Sequence, residues 1–372
     1  MRKAPIIIGL TGNIATGKSM VGHMLANSGG LEIDADVVAN RLIYPRGAAY
    51  HKAVEAFGGE ILDDRGLIFR RKLAEIVFSN QEQLEKLETL LHPAVTTAIQ
   101  ERIGMTSQAF VVIEAVKLLE SDLVNICDSV WVSHASQLHQ MERLLHSRKM
   151  TETEAEARIA AQSSQSEKLQ RADVVINTEG PFNLTWQQVQ NGLNDTIKLE
   201  ETTKVAHIYN SGDWFFPDVN KLAEDDLKAF LRSRDDSDLL DWFALLGSNI
   251  ILPFIRKDRL KGILFWDNWN FTAALSQWFC KRRMKVAEEY LQKAFERDAK
   301  RQQCELIIFS DQAAHKYDLK PGKFGFEHRK VKEISYPGWQ EAAAKLAGKD
   351  DEKLWMKFLS QPVEVEEQNF NN

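Results

Sequence analysis

The chain reads as an α/β protein: a parallel sheet clothed by helices and carrying a phosphate-binding loop, followed by a second α/β domain. Three observations predict this. The apolar run Ile6-Ile7-Ile8-Gly9-Leu10 passes directly into Gly12-Asn13-Ile14-Ala15-Thr16-Gly17-Lys18-Ser19. Apolar strand-like runs alternate with polar helical stretches as far as Ile176. Aromatic usage then shifts, because seven of the nine tryptophans lie beyond residue 200, which places a domain boundary near there.

The elements follow in order. A strand over Ile6 to Leu10 feeds the loop, a helix runs from Lys18 to Asn27, and Gly29-Gly30 stops it before a short strand from Leu31 to Asp34; this is a βαβ unit. Further strands are expected at Phe110-Val111-Val112-Ile113, Val130-Trp131-Val132 and Val174-Val175-Ile176, giving a parallel sheet with covering helices. A helical region from Ala48 to Ile103, interrupted at Pro93, is expected to form a separate lobe. A polar helix from Asn183 to about Lys204 would bridge residues 1–204 to a domain over 205–372.

Composition excludes several classes. Net charge is −6, so no global basic field exists to hold nucleic acid. No apolar run approaches a membrane span, and the polar Thr11-Gly12-Asn13 arrives too early for a signal-peptide core. The three cysteines, Cys127, Cys280 and Cys304, are widely spaced and odd in number, which argues against a disulfide framework or a zinc site and for a reducing cytoplasm.

Chemistry concentrates at the loop. Backbone N–H groups of Gly12 to Ser19 would wrap the β-phosphate of a nucleotide, Lys18 would reach the β/γ-phosphates, and the Ser19 hydroxyl would ligate Mg²⁺. In a parallel sheet the carboxyl ends of the strands share one edge, so Asp34 and Asp36 face the same crevice. A carboxylate there either binds the metal through water or accepts the proton of an attacking hydroxyl; each aspartate can equally cap the helix beginning near Val37. The sequence leans toward chemistry for Asp36 and toward capping for Asp34.

Residues 1–200 resemble the dephospho-CoA kinases. The matching segments run in family order: Gly9 to Ser19, Ile33-Asp34-Ala35-Asp36-Val37-Val38-Ala39, Tyr44-Pro45-Arg46-Gly47, Phe57-Gly58, Arg70 with Leu73, Leu90-Leu91-His92-Pro93, and Ala160-Ala161-Gln162 followed by Lys168, Ala172-Asp173 and Val175-Ile176. The resemblance implies the P-loop NTPase fold, with helical substrate and lid lobes, and ATP-dependent phosphorylation of the ribose 3′-hydroxyl of dephospho-CoA. It implies Asp36 as general base, Lys18, Ser19 and the loop amides as holders of ATP and magnesium, and Arg70 and His92 in the acceptor lobe. For His92 a helix-terminal histidine before proline is an equal reading. Arg143, with Arg148 as second candidate, would stabilise charge on the transferring group, unless either is simply a solvated cation.

Three positions depart from the family pattern. Glu114-Ala115-Val116-Lys117-Leu118-Leu119 stands where an acid, a proline and two leucines are usual, Gln165 stands at a lid position that commonly carries arginine, and Asn177-Thr178-Glu179 replaces an acid–asparagine pair. A regulatory P-loop switch NTPase remains an alternative, although no Asn-Lys-x-Asp element follows the later strands.

Beyond residue 204, strands are expected at Val205 to Tyr209, Ile250 to Leu252, Gly262 to Trp266 and Glu305 to Phe309, with a long helix from Trp278 to about Arg301. This order resembles the GNAT-type N-acetyltransferase fold, which opens a second alternative, a bifunctional kinase with an acyl-CoA-binding or acyltransferase domain. At the helix start, Lys281-Arg282-Arg283-Met284-Lys285-Val286 is basic but lacks the glycine turn with which that family grips pyrophosphate. The dense aromatic run Phe265 to Phe271 reads as core.

Overall fold

Five parallel strands, β1 (Ile6–Thr11), β2 (Leu31–Asp34), β3 (Phe110–Glu114), β4 (Ser129–His134) and β5 (Val174–Asn177), lie side by side in the order β2-β3-β1-β4-β5. The computed structural model describes residues 4–197, 214–215, 230, 247–256, 259–280, 285–316, 319–347 and 352–360. The chain divides into two compact units, Met1–Thr203 and Lys204–Asn372. In the first, β3 is buried along its whole length, as its near-continuous Val/Ile run requires of a strand covered on both faces.

Between β2 and β3 the chain builds a helical lobe from α2 (Ala35–Leu42), α3 (Tyr50–Phe57), α4 (Arg70–Phe78) and α5 (Gln81–Met105), which follow α1 (Lys18–Asn27) in sequence. Its own core gathers Ala53, Phe57, Ile61, Leu73 and Val77, with Leu87, Leu90 and Leu91 packed against it. The break expected at Pro93 does not occur: α5 runs through it. Proline removes the hydrogen bond to the Thr89 carbonyl, but Leu90, Leu91 and Ala94 pack on the lobe core from both sides of it, and that packing carries the helix across.

After β4 come α6 (Gln137–His146), α7 (Glu152–Ala160) and α8 (Gln165–Gln170), and after β5 comes α9 (Phe182–Ile197). A capping box opens α7, with Thr151 accepting from the Glu154 N–H while Glu154 accepts from that of Thr151. The remainder of the bridging helix expected as far as Lys204 lies outside the described residues.

The second unit holds a seven-stranded sheet of β6 (Trp214–Phe215), β7 (Ile250–Arg256), β8 (Arg259–Trp269), β9 (Thr272–Cys280), β10 (Leu306–Ser310), β11 (Glu327–Lys330) and β12 (Lys353–Phe358), in the order β11-β12-β10-β9-β8-β7-β6. Every pairing is antiparallel except β9 with β10. The long helix begins at Lys285, not Trp278, which belongs to β9. A two-residue turn made by Asn270 and Phe271, both left-handed (φ 52° and 60°), reverses the chain and generates that extra strand. The aromatic run is core as expected: Trp266 is fully buried, packs on Phe295 and donates its indole N–H to Asp298 at 3.1 Å. The strand expected at Val205 to Tyr209 and the basic stretch Lys281 to Met284 lie outside the described residues. Among the described residues no helix is long and apolar enough to cross a membrane.

Candidate active site at the phosphate loop

The loop from Gly12 to Ser19 joins β1 to α1, and its backbone turns through left-handed conformations at Ala15 (φ 58°) and Gly17 (φ 84°). Gly12 is required for space, since a Cβ there would lie 2.4 Å from Ser133 Oγ. Within the loop, Thr16 donates both its N–H and its hydroxyl to the Asn13 carbonyl, at 3.2 and 2.7 Å. The amides of Gly17, Lys18 and Ser19 open α1, where helix geometry supplies them no intrahelical acceptor and the dipole favours an anion.

Lys18 sits among carboxylates. Burial holds its pKa below the ordinary lysine value, while the charges of Glu114 and Asp36 pull it back up. Of the two aspartates, Asp34 takes the capping role toward which the sequence leaned. Strand β2 ends at Asp34, whose carboxylate caps α2 by accepting from the N–H groups of Asp36 (2.8 Å) and Val37 (3.1 Å); burial, then the charge of Asp36, raises its pKa to about 6. Asp36 stands in the first turn of α2 with an exposed side chain. Crowding by protein raises its pKa and the Lys18 ammonium lowers it. The helix turn at Asp34 breaks the period-two alternation that would have sent both side chains the same way.

Two further acids belong to this site. Glu114 ends β3 and accepts the Ser19 hydroxyl at 3.0 Å. Glu32, on neighbouring β2, converges on it over α1 at Gly22: a Cβ there would lie 2.1 Å from Glu32 Oε1 and 3.3 Å from Glu114 Oε2. Burial raises both carboxyls to about 8, aided at Glu32 by the charge of Asp34 and at Glu114 by the charges of Glu32 and Asp34. Sequence reading passed over Glu32 because it alternates with apolar residues in a short strand, as a solvent-facing position would; the glycine ten residues earlier, under its side chain, was the available signal.

Arg143, on α6, does not stand free. Its guanidinium donates to the Ala15 carbonyl at 2.8 Å and to the Thr178 hydroxyl at 3.0 Å and carbonyl at 2.5 Å, tying the loop to the end of β5. Arg148 is exposed, and its charge is felt at Lys18. Lys168 is buried and turned to the Val116 carbonyl at 3.0 Å. In the helical lobe, Arg70 opens α4, hydrogen-bonds the Tyr44 hydroxyl and lies over that ring, 5.2 Å from its centroid. His92 lies half-buried in mid-α5 and ends no helix. Lys117 pairs with Glu88 of α5.

The donor set around Ser19 is all hard oxygen, which suits magnesium. Among the described residues no three acidic, histidine or cysteine side chains converge as a metal cage.

Residues 6–208 match the sequence profile of a family described as dephospho-CoA kinase. A dephospho-CoA kinase of Geobacillus kaustophilus is 41% identical over 199 residues, which cover 53% of this chain and 99% of that relative. One from Carboxydothermus hydrogenoformans is 39% identical over 186 residues, 49% of this chain and 90% of the relative. Among solved structures, a Thermus thermophilus protein covers 52% of this chain and 98% of its own at 29% identity and a TM-score of 0.47. A GNAT-family acetyltransferase from Staphylococcus aureus covers 40% and 99% at 16% identity and a TM-score of 0.28.

Proposed function

The chain belongs to the dephospho-CoA kinase family over residues 6–208, and on that premise we propose that it transfers the γ-phosphoryl group of ATP to the ribose 3′-hydroxyl of dephospho-CoA, giving coenzyme A and ADP. One observation supports the reading: Lys18, opening α1 after β1, and Asp36, in the first turn of α2 after β2, both follow carboxyl ends of strands in the same parallel sheet, near enough for each charge to bear on the other. This proximity supports a site in which a cation would face the transferring phosphoryl group and a carboxylate the attacking alcohol.

Phosphoryl transfer asks the protein mainly for alignment and charge neutralisation. The amides of Gly17, Lys18 and Ser19 would hold the β-phosphate, and the Lys18 ammonium would lie against the β/γ-oxygens. Asp36 would accept the hydrogen bond of the 3′-hydroxyl, orient it in line and take its proton as the bond forms. Asp34 supports this indirectly, because its cap fixes the first turn of α2 on which Asp36 stands. Ser19, with Glu114 accepting its hydroxyl, would hold magnesium, which would supply charge neutralisation for the transferring phosphate. Arg148 is the exposed cation that supplements Lys18, and Arg143 acts as the brace of the loop. Arg70 and His92 are assigned to contacts with dephospho-CoA in the helical lobe.

Purified protein incubated with ATP and dephospho-CoA should yield coenzyme A in step with ADP. Acceptor-independent hydrolysis without coenzyme A would favour the switch alternative.

A second reading concerns the unit Lys204–Asn372. Strands β9 and β10 pair only where Thr272–Ala274 meet Leu306–Ile308; from Leu275 onward β9 pairs with β8 alone among the described residues. Carboxyl ends of parallel strands that part in this way form a crevice of the kind that takes ligands in α/β sheets. This supports a ligand site there, for which the acyl-CoA-binding alternative names the candidate ligand. Calorimetry of the full-length protein with acetyl-CoA tests it, since absence of heat at high ligand would leave the unit a structural or partner-binding role.

A further inference from the structure

The phosphate loop is gripped at three consecutive residues by side chains from the elements after β4. Asn13 donates its N–H to Gln165 Oε1 at 3.2 Å, Ile14 donates its N–H to Gln162 Oε1 at 2.5 Å, and the Ala15 carbonyl accepts from Arg143 at 2.8 Å. The other end of the Gln165 amide is also engaged, since Nε2 donates to the carbonyl of fully buried Ser133 on β4 at 3.1 Å. A second strand of bonding runs beside it, from Asn13 Nδ2 to the Ser163 carbonyl at 3.0 Å and from Ser163 Oγ to Glu120 at 2.9 Å.

We propose that Gln165 is a positioning residue for ATP: a two-ended neutral clasp, bridging loop and β4, that holds the upstream half of the phosphate loop while the downstream amides hold the nucleotide. The proposal rests on the kinase reading for the identity of its nucleotide. The division of the loop follows from its donors. Gly17, Lys18 and Ser19 keep their N–H groups for phosphate at the helix start, whereas Asn13 and Ile14 already have protein acceptors.

A clasp is needed because the loop is locally unfavourable. Ala15 has a Cβ and adopts φ 58°, which costs on the order of 1 kcal/mol without glycine and persists only where surroundings hold it. Asn13 is buried, so its N–H without Gln165 would be an unpaired donor away from water. Side-chain chemistry selects the residue type. Arginine at this position could donate to the Ser133 carbonyl but has no acceptor for the Asn13 N–H, and glutamate could accept but not donate. Glutamine alone of the three serves both ends. The position that in the family resemblance commonly brings a cation to the phosphates thus brings a hydrogen-bonded strut here, and positive charge is left to Lys18 and Arg148.

The test compares Gln165→Ala, Gln165→Arg and Gln165→Glu with wild-type full-length protein. It measures KM for ATP and for dephospho-CoA, kcat, affinity for a fluorescent ATP analogue, and melting temperature. Gln165→Ala should weaken ATP in both KM and analogue affinity by about tenfold, the scale of two lost hydrogen bonds. KM for dephospho-CoA should stay within about twofold and kcat within about threefold. Gln165→Arg should bind ATP no better than Gln165→Ala. Tighter ATP binding by Gln165→Arg than by wild type would overturn the proposal, because the position would then be a phosphate contact lacking its cation. A lowered melting temperature with unchanged ATP affinity would equally overturn it, leaving only a packing role. Should Gln165→Ala fail to fold, near-isosteric Gln165→Glu and the neighbouring Gln162→Ala carry the same affinity comparison. A wild-type protein that binds the analogue but forms no coenzyme A would remove the acceptor assignment, and the affinity series would still decide the clasp.

Discussion

The two sheets of this chain use the same strand-forming residues to opposite effect. In the first unit all five strands are parallel, so their carboxyl ends share one edge. Residues at the ends of β1, β2, β3 and β4 are thereby brought together although they are scattered over more than a hundred positions. In the second unit antiparallel pairing sends successive strand ends to opposite edges, and among the described residues only the β9–β10 pair places two carboxyl ends side by side. The first unit accordingly crowds Lys18, Asp34, Asp36 and Glu114 until each perturbs its neighbours' titration. Buried polar groups in the second serve packing, as where Trp266 meets Asp298 and Trp339 meets Glu305 at 3.2 Å. Strand direction, more than composition, separates a sheet whose strand ends converge on one edge from one whose strand ends alternate between two.

The largest effect expected from breaking that convergence is at Lys18. Lys18→Ala should lower kcat/KM on the order of 10³-fold by removing a charge aimed at the transferring group; steady-state coenzyme A formation measures it, and unchanged turnover would remove the loop from the reaction. Next comes Asp36→Asn, expected to lower kcat about 100-fold or more while KM for ATP stays within about twofold. A rise confined to the nucleotide KM would instead make Asp36 a metal or capping group. Arg143→Ala should act on the loop's shape: ATP affinity falls by about tenfold, with a smaller change in kcat, as the Ala15 carbonyl loses its partner.

The smallest effect sharpens the comparison through pH. Glu32 and Glu114 titrate above the ordinary carboxylate range in the folded chain, so the native state binds more protons than the unfolded one above that range. Stability is therefore lost as pH rises toward the folded values. Glu32→Gln removes one of the two charges, and its melting temperature should exceed that of wild type by roughly 3 °C at pH 8, with the gap narrowing toward pH 5. A pH-independent gap would mean that the pair does not titrate together.

Much of the first unit is legible locally. Helix α1 and strand β2 begin and end where the glycines and apolar runs put them, and Asp34 caps because aspartate before a helix start accepts the first free N–H groups. Legibility fails where long-range packing overrides a local signal. Pro93 reads as a stop and is carried through by a leucine face, and Trp278 reads as a helix start but continues a strand closed by an unusual Asn–Phe turn. The site divides in the same way. Loop and lysine are legible by spacing, whereas Arg143, read from the sequence as a cation for the transferring group, is seen in the fold to make three hydrogen bonds that tie the loop to the end of β5.

From its linear order alone the chain specifies a phosphate loop between a strand and a helix, a carboxylate one helix turn past the second strand, and a family. Those features depend on glycine conformation, capping and alternation, which act within a few residues. Only the folded molecule decides that Gln162 and Gln165 hold the loop about 150 residues before them, and that Glu32 and Glu114 meet over a bare glycine. Such contacts depend on strand order and side-chain reach, and neither is encoded in any single stretch of sequence.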